Sequence, residues 1–218
     1  MSILGSDASF SASPHEPEQF SKPFPFHIRA ARHQDLPDLA EVLASSFHRQ
    51  DGLGGWIYPL FRMGIYQDLK NRLRTVGKHY ACLVAVYQPL SRQAIRAMMQ
   101  APGKEGFHTS AIAGTVELTI RTMWYPNNMR YLYVSNMAVR ADYRRQGIAL
   151  QLLETCDRTA LDWGFHDLYL HVLEENDSAR KLYQKAGYQL CRTETVPGLF
   201  MFHQSRQLLL RKRLVQTP

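Results

Sequence analysis

The chain has 218 residues, 45% of them apolar, enough for one well-buried core or at most two small domains; no interior linker interrupts it, which favours one. Its formal net charge of +7 and sequence pI near 9.4 suit a polyanionic partner, a class that includes phosphorylated cofactors as well as nucleic acid. No apolar run approaches the roughly 20 residues needed to cross a bilayer, so no membrane partner is expected.

Residues 1–25 are rich in Ser and Pro and lack periodicity, which predicts a disordered or loosely attached tail. This tail has no charged-then-apolar leader, and Asp7, Glu16 and Glu18 argue against a transit peptide. The domain is expected to fill 26–218. FHIRAA (26–31) predicts a short strand. A helix should follow, with Leu36, Leu39, Val42 and Leu43 at helical spacing and Asp35 near its N-cap. GLGG (52–55) punctuates the chain before a second helical region, 56–76, disturbed near Pro59. YACLVAVY (80–87) is a β-branched apolar run and predicts a strand.

Residues 88–110 carry basic residues, Pro and Gly with little periodicity and are expected to be an insertion, with one helical turn around 94–99. AIAGTVELTIR (111–121) and YLYVSNMAV (131–139) predict an antiparallel hairpin. A strong helix follows over 146–163, its stripe formed by Ile148, Leu152, Cys156 and Ala160, with Gly164 placed as a C-cap. DLYLHVL (167–173) predicts a strand. NDSARKLYQKA (176–186) predicts a helix ended by Gly187, and two closing strands complete the chain. Strand, helix, strand over 131–172 requires a parallel pair with the helix as crossover. The fold class is therefore α/β or α+β: a mixed sheet of about seven strands with an antiparallel front half and flanking helices. Cys82, Cys156 and Cys191 are odd in number, far apart and without metal spacing; each is expected to be a small buried apolar residue in a reducing cytoplasm, with no metal bound.

The stretch YRRQGIALQLL (143–153) sets Gly147, a poor helix former, where a helix begins, directly after Arg144 and Arg145. The first amides of a helix lack intrahelical partners and carry the positive end of the dipole, so such a terminus accepts a phosphate or pyrophosphate. Gly147 would let the phosphates approach the backbone, and the arginines would add long-range attraction. Taken alone, basic residues before a helix also fit a plain solvated turn.

Three linked motifs decide between these readings. Arg144-Arg145-Gln146-Gly147-Ile148-Ala149 resembles the acyl-CoA loop of the Gcn5-related N-acetyltransferase (GNAT) family; NMAV (136–139) resembles its central strand, and NDSARKLYQKAGY (176–188) its closing motif. The resemblance is close over 131–190, topological over 26–130 and absent from the tail. It implies a twisted mixed sheet split between two parallel strands, with acetyl-CoA as co-substrate in the split. The loop amides from Arg145 to Ala149 would hold the pyrophosphate. The strand Met137-Ala138-Val139 would pair with the pantetheine arm, and an amide there would polarise the thioester carbonyl. Asn176 would touch the pantetheine, although it also reads as a plain N-cap, and Arg180 would reach the cofactor. Tyr183 matches the tyrosine beside the CoA sulfur, where a phenol can donate to the leaving thiolate; otherwise it is an aromatic on a buried stripe.

The reaction implied is direct acetyl transfer to a primary amine, which must first lose a proton. His171, mid-strand, is the expected base, with a reference pKa of about 6.5 suited to this task. Tyr133, on the neighbouring parallel strand, matches a tyrosine that works with such a histidine through water in NatE-type Nα-acetyltransferases. The plastid enzymes that modify N-termini and lysines look similar. Glu117 is a reserve base, although a glutamate on that strand could equally face water. The acceptor is expected to be a protein N-terminus and possibly lysine, with Trp124, Tyr125, Phe200 and Phe202 in aromatic loops near it. Alternatives are acetylation of a small amine, or a non-catalytic acyl-CoA-binding regulatory domain. Nucleic-acid binding is not expected, since no basic stripe with interleaved aromatics is present. A monomer or homodimer fits the sequence equally.

Overall fold

The computed structural model describes residues 25–51, 58–74, 79–87, 112–123, 129–197 and 204–215. The tail over 1–24, the GLGG segment, the expected insertion at 88–110 and the aromatic-loop residues Trp124, Tyr125, Phe200 and Phe202 lie outside them.

The described elements follow the expected order. Strand β1 (Phe26–Ala30) leads through a 3-10 turn (His33–Asp35) into α1 (Leu36–Asp51), then α2 (Tyr58–Arg74) and β2 (Tyr80–Tyr87). β3 (Ile112–Met123) and β4 (Met129–Val139) form the hairpin; α3 (Ile148–Asp162), β5 (Asp167–Leu173), α4 (Asp177–Lys185), β6 (Gln189–Pro197) and β7 (Gln204–Arg213) follow. Pro59 does not disturb a helix. It occupies the first turn of α2, where its missing N–H would have had no intrahelical partner. Asp35 does not cap α1 but turns back: its carboxylate accepts from the Arg32 amide at 2.7 Å and from both terminal nitrogens of Arg29.

The strands form one seven-stranded sheet in the order β1-β2-β3-β4-β5-β7-β6. Every neighbouring pair is antiparallel except β4 and β5. That parallel pair is short. It has two rungs, Leu132 opposite Leu168 and Tyr133 opposite Tyr169, and beyond them the strands part.

Alternation along the strands assigns the two faces. On one face α3 buries Ile148, Leu152, Leu153, Cys156 and Ala160 against Leu118, Leu132, Val134, Leu168 and Leu170, with Tyr183 and Ala186 of the α4 region joining the same core. On the other, Leu36, Leu39, Val42 and Leu43 of α1 and Leu69 of α2 cover Cys82, Val84, Val86 and Ile112. That second cover does not extend along the sheet: Tyr131, Tyr133, Tyr169 and Leu209 form a small aromatic-rich cluster of their own on the same face of β4, β5 and β7. Cys82 and Cys156 are buried as expected, but Cys191 is exposed. It is the extra residue of a β-bulge on edge strand β6, where the register passes from Leu190 opposite Leu210 directly to Arg192 opposite Leu209.

Candidate active site

The parting of β4 from β5 creates a split, and the chain leaving β4 folds over one end of it. Here Arg145 has φ of 64° and Gly147, the N-cap of α3, has φ of 82°. Gly147 is thus favoured by its backbone conformation. A left-handed residue costs about 1–2 kcal/mol when it carries a Cβ, and the loop already accepts that cost at Arg145. No side chain caps α3, and among the described residues the amides from Arg145 to Ala149 donate to no carbonyl or side chain. They form a concave set of donors at the positive end of a 15-residue helix, which fits an anion such as a pyrophosphate. Arg144 does not point into it. Its Nε donates to the Val139 carbonyl at 3.0 Å and ties the loop to β4, while the Gln146 amide group reaches the Asp142 carbonyl.

Along the split, β4 carries a bulge. Thr115 stands opposite Ala138 and Glu117 opposite Ser135, so both Asn136 and Met137 oppose Val116. Asn136 has φ of 50°, and its Nδ2 donates to Glu117 Oε1 at 2.9 Å. Glu117 Oε2 accepts from Arg72 of α2 at 2.9 Å, and Arg72 also pairs with Asp68. Glu117 is 0% exposed. It neither faces water nor stands free as a base: both its oxygens are engaged in holding the bulge. The Arg140 amide donates to Ala113 of β3 at 2.8 Å, so Val139, one residue earlier, turns its N–H and C=O away from β3 toward the split, as does Met137, although the Val139 C=O already accepts from Arg144. Ala138 does not belong with them. Its backbone faces β3, and its side chain is buried with the α1–α2 cluster.

At the apex of the split, Tyr133 of the last parallel rung meets His171, two residues beyond that rung on β5. The Tyr133 hydroxyl lies 2.8 Å from His171 Nδ1, a direct hydrogen bond rather than one through water. The Arg121 guanidinium carbon sits 3.5 Å above the Tyr133 ring. Burial raises the Tyr133 phenol above its ordinary pKa, against the opposing pull of Arg121 and of the His171 backbone. Tyr183 rises from α4 beneath the split, 8% exposed, its ring edge-on to Tyr188 at 5.8 Å. Burial, then the neighbouring Tyr133, pushes its phenol up to about 12, so it holds its proton at neutral pH.

The model of the acetyltransferase (GNAT) family matches residues 79–188, about half of the chain and the part that holds the split, the bulge, the donor loop and all three aromatic and histidine groups. The chain belongs to the GNAT family. It is 30% identical over 179 residues to GCN5-related N-acetyltransferase 10, chloroplastic, of Arabidopsis thaliana, covering 79% of this chain and 65% of that protein. It is 34% identical over 74 residues to N-alpha-acetyltransferase 50 of Danio rerio, covering 32% of this chain and 42% of that one. The chain thus spans less than two thirds of the length of either relative. The GNAT fold is also seen in the solved structure of Arabidopsis thaliana NAA60 in complex with acetyl-CoA: TM-score 0.57, 18% identity, 86% of this chain and 98% of that one.

Two residues of the GNAT closing motif are engaged locally. Asn176 is the N-cap of α4, its Oδ1 accepting from the Ala179 amide at 3.1 Å. Arg180 is exposed and donates to the Glu174 carbonyl and to Asp177, so it braces its own turn. Sequence reasoning missed four participants: Arg72, Arg121, Asn136 as the left-handed bulge residue, and Glu194, whose Oε2 lies 3.3 Å from His171 Nε2. Only strand order and bulge position reveal the last of these, since β6 and β5 are not adjacent in the sheet.

Proposed function

We propose that the chain transfers the acetyl group of acetyl-CoA directly to a primary amine, with a protein N-terminal α-amine as the preferred acceptor and lysine ε-amines as a secondary one. The observation that carries this reading is the Tyr133–His171 hydrogen bond at the apex of the split, on a sheet face that no described helix covers there. It sets a proton acceptor where an amine can reach a thioester lying in the split. The loop amides from Arg145 to Ala149 suit the pyrophosphate, and the backbone of Met137 and Val139 suits the pantetheine arm. The amine nitrogen loses its proton to the Tyr133–His171 pair and bonds to the acetyl carbon. An amide at the β4 bulge polarises the carbonyl, and Tyr183 donates to the sulfur as the C–S bond breaks. The similarity to N-alpha-acetyltransferase 50 supports an α-amine acceptor.

The purified chain, supplied with acetyl-CoA, should acetylate peptides with free N-termini faster than the same peptides blocked at the N-terminus, and faster than polyamines, amino acids or aminoglycosides. Tyr183→Phe should lower kcat by about 10²-fold with little change in acetyl-CoA affinity. Equal rates on small amines would refute the acceptor assignment, and unchanged turnover in the variant would refute the acid.

A further inference from the structure

We propose that Glu194 fixes the tautomer of His171, and with it the path by which the amine's proton leaves. This rests on the reading of Tyr133 and His171 as the proton acceptor. A neutral imidazole carries one N–H, on either nitrogen. Nδ1 is 2.8 Å from the Tyr133 hydroxyl, and Nε2, shielded from solvent, is 3.3 Å from Glu194 Oε2, within ion-pair range though not aligned as a hydrogen bond. With the proton on Nδ1, the bare Nε2 lone pair would face the carboxylate. With it on Nε2, an N–H faces the carboxylate, and Nδ1 is left to accept from Tyr133. The second arrangement is favoured electrostatically. Tyr133 is then the donor to His171, and its oxygen lone pairs are free for an incoming amine.

The backbone places Glu194 deliberately. His171 stands opposite Leu209 on β7, and Arg192 of β6 stands opposite Leu209 from the other side, with Glu194 opposite Gln207. All of these share the face of Tyr133. They do so because the bulge at Cys191 shifts β6 by one residue: without it, Cys191, Thr193 and Thr195 would occupy this face and Glu194 the opposite one. Arg192 holds the other carboxylate oxygen, Oε1, leaving Oε2 for the histidine. Among the described residues, the other charged or titratable groups facing the pair are Arg121 over the Tyr133 ring, Tyr131 beside it on β4, Tyr183 from α4, and Tyr169 with Arg211 and Asp167 lower on the same face.

The proton path then balances. The amine N–H passes to the Tyr133 oxygen as the Tyr133 proton passes to His171 Nδ1, and the N–C bond forms. The resulting imidazolium lies against the ionised Glu194, which is 31% exposed and can release the Nε2 proton to solvent. Glu194 touches no reacting atom and is a positioning residue.

Two measurements test this on the full chain. Long-range 1H–15N spectra of histidine-labelled protein should show His171 protonated at Nε2, with the signal moving toward the Nδ1–H form in Glu194→Gln. This readout needs no substrate. The pH profile of kcat/KM is the second readout, because the carboxylate favours the imidazolium over the neutral ring. The acid limb of Glu194→Gln should therefore move to lower pH, with the plateau reduced on the order of 10-fold, far less than the ~10⁴ lost when a fully buried carboxylate that sets a tautomer is neutralised. Arg192→Met should move the limb the opposite way, because the carboxylate then acts on His171 undiminished. A wild-type His171 already protonated at Nδ1, or a Glu194→Gln limb that stays in place while its plateau falls, would overturn the assignment. His171→Ala separates the layers: full activity in that variant removes the dyad reading itself, whereas its loss together with an unmoved Glu194→Gln limb removes only the role of Glu194.

Discussion

Gly114 of β3 sits where the end of β4 packs against the start of α3, and replacing it with Ala is a sharp test of how tightly these elements are joined. A Cβ at this position would lie 2.9 Å from the Ala138 carbonyl oxygen, 3.2 Å from Val139 Cγ2 and 3.3 Å from Ile148 Cγ2. The first of these is backbone held in the β3–β4 ladder, so it cannot swing aside as a side-chain end would. Carbon–oxygen contacts are ordinarily about 3.3 Å or longer, so the end of β4 must retreat by several tenths of an ångström. Overpacking of this kind costs about 1–3 kcal/mol, offset by about 0.5–1 kcal/mol from the lost conformational freedom of glycine. The net loss of about 1–2 kcal/mol should lower Tm by roughly 2–8 °C in a chain of this size. Acetyl-CoA affinity should fall with it, since Val139 and Ile148 belong to the strand and helix that flank the proposed cofactor. Gly64 in α2 is the internal control: a Cβ there meets nothing within 4 Å, so Gly64→Ala should stabilise by about 0.5–1 kcal/mol. Scanning calorimetry and titration calorimetry with acetyl-CoA report both. A Gly114→Ala protein with unchanged Tm and affinity would refute the close-approach argument.

Arg72→Met leaves the buried Glu117 carboxylate with Asn136 alone as partner; uncompensated buried charges cost about 3–5 kcal/mol, and the partial exposure of Arg72 places the expected loss near the lower end in urea denaturation. Adding Glu117→Gln should recover much of it, and no recovery would mean the charge is not the cause. Gly147→Val puts a β-branched side chain at φ of 82°, so acetyl-CoA binding should weaken by at least about 10-fold while circular dichroism remains that of the folded chain. Equal affinity would show that the loop need not hold that geometry.

The order of elements was legible because the apolar spacing is strong: Ile148, Leu152, Leu153, Cys156 and Ala160 fall on one side of a helix, whereas a strand would turn Leu153 to the opposite face, and that helix between two strands forces the parallel pair. The three linked motifs placed the donor loop, Tyr183 and His171 in one neighbourhood. What the period of two could not show is where it is broken. The bulge at Asn136 and Met137 left the environment of Glu117 open to two readings, and the bulge at Cys191 concealed Glu194 on what alternation would count as the wrong face. A bulge is a matter of register between two strands, and one strand's sequence does not state it. The boundary near Pro59 was misread for a simpler reason. A proline marks a break or a beginning equally well, and only the position of the first turn distinguishes them.

The two-rung contact between β4 and β5 gives this sheet four strand edges instead of two. The outer pair, β1 and β6, ends the sheet among the described residues, and β6 is guarded by its bulge and by the charges of Arg192 and Glu194, devices that discourage edge-to-edge aggregation. The inner pair needs no such protection. Each inner edge faces the other across a wedge closed at one end by the rungs at Leu132 and Tyr133, so a foreign strand cannot lie alongside without entering end-on. Shape therefore suits that place to a slender, unbranched chain with amide groups, which can pair with an inner edge as a strand would.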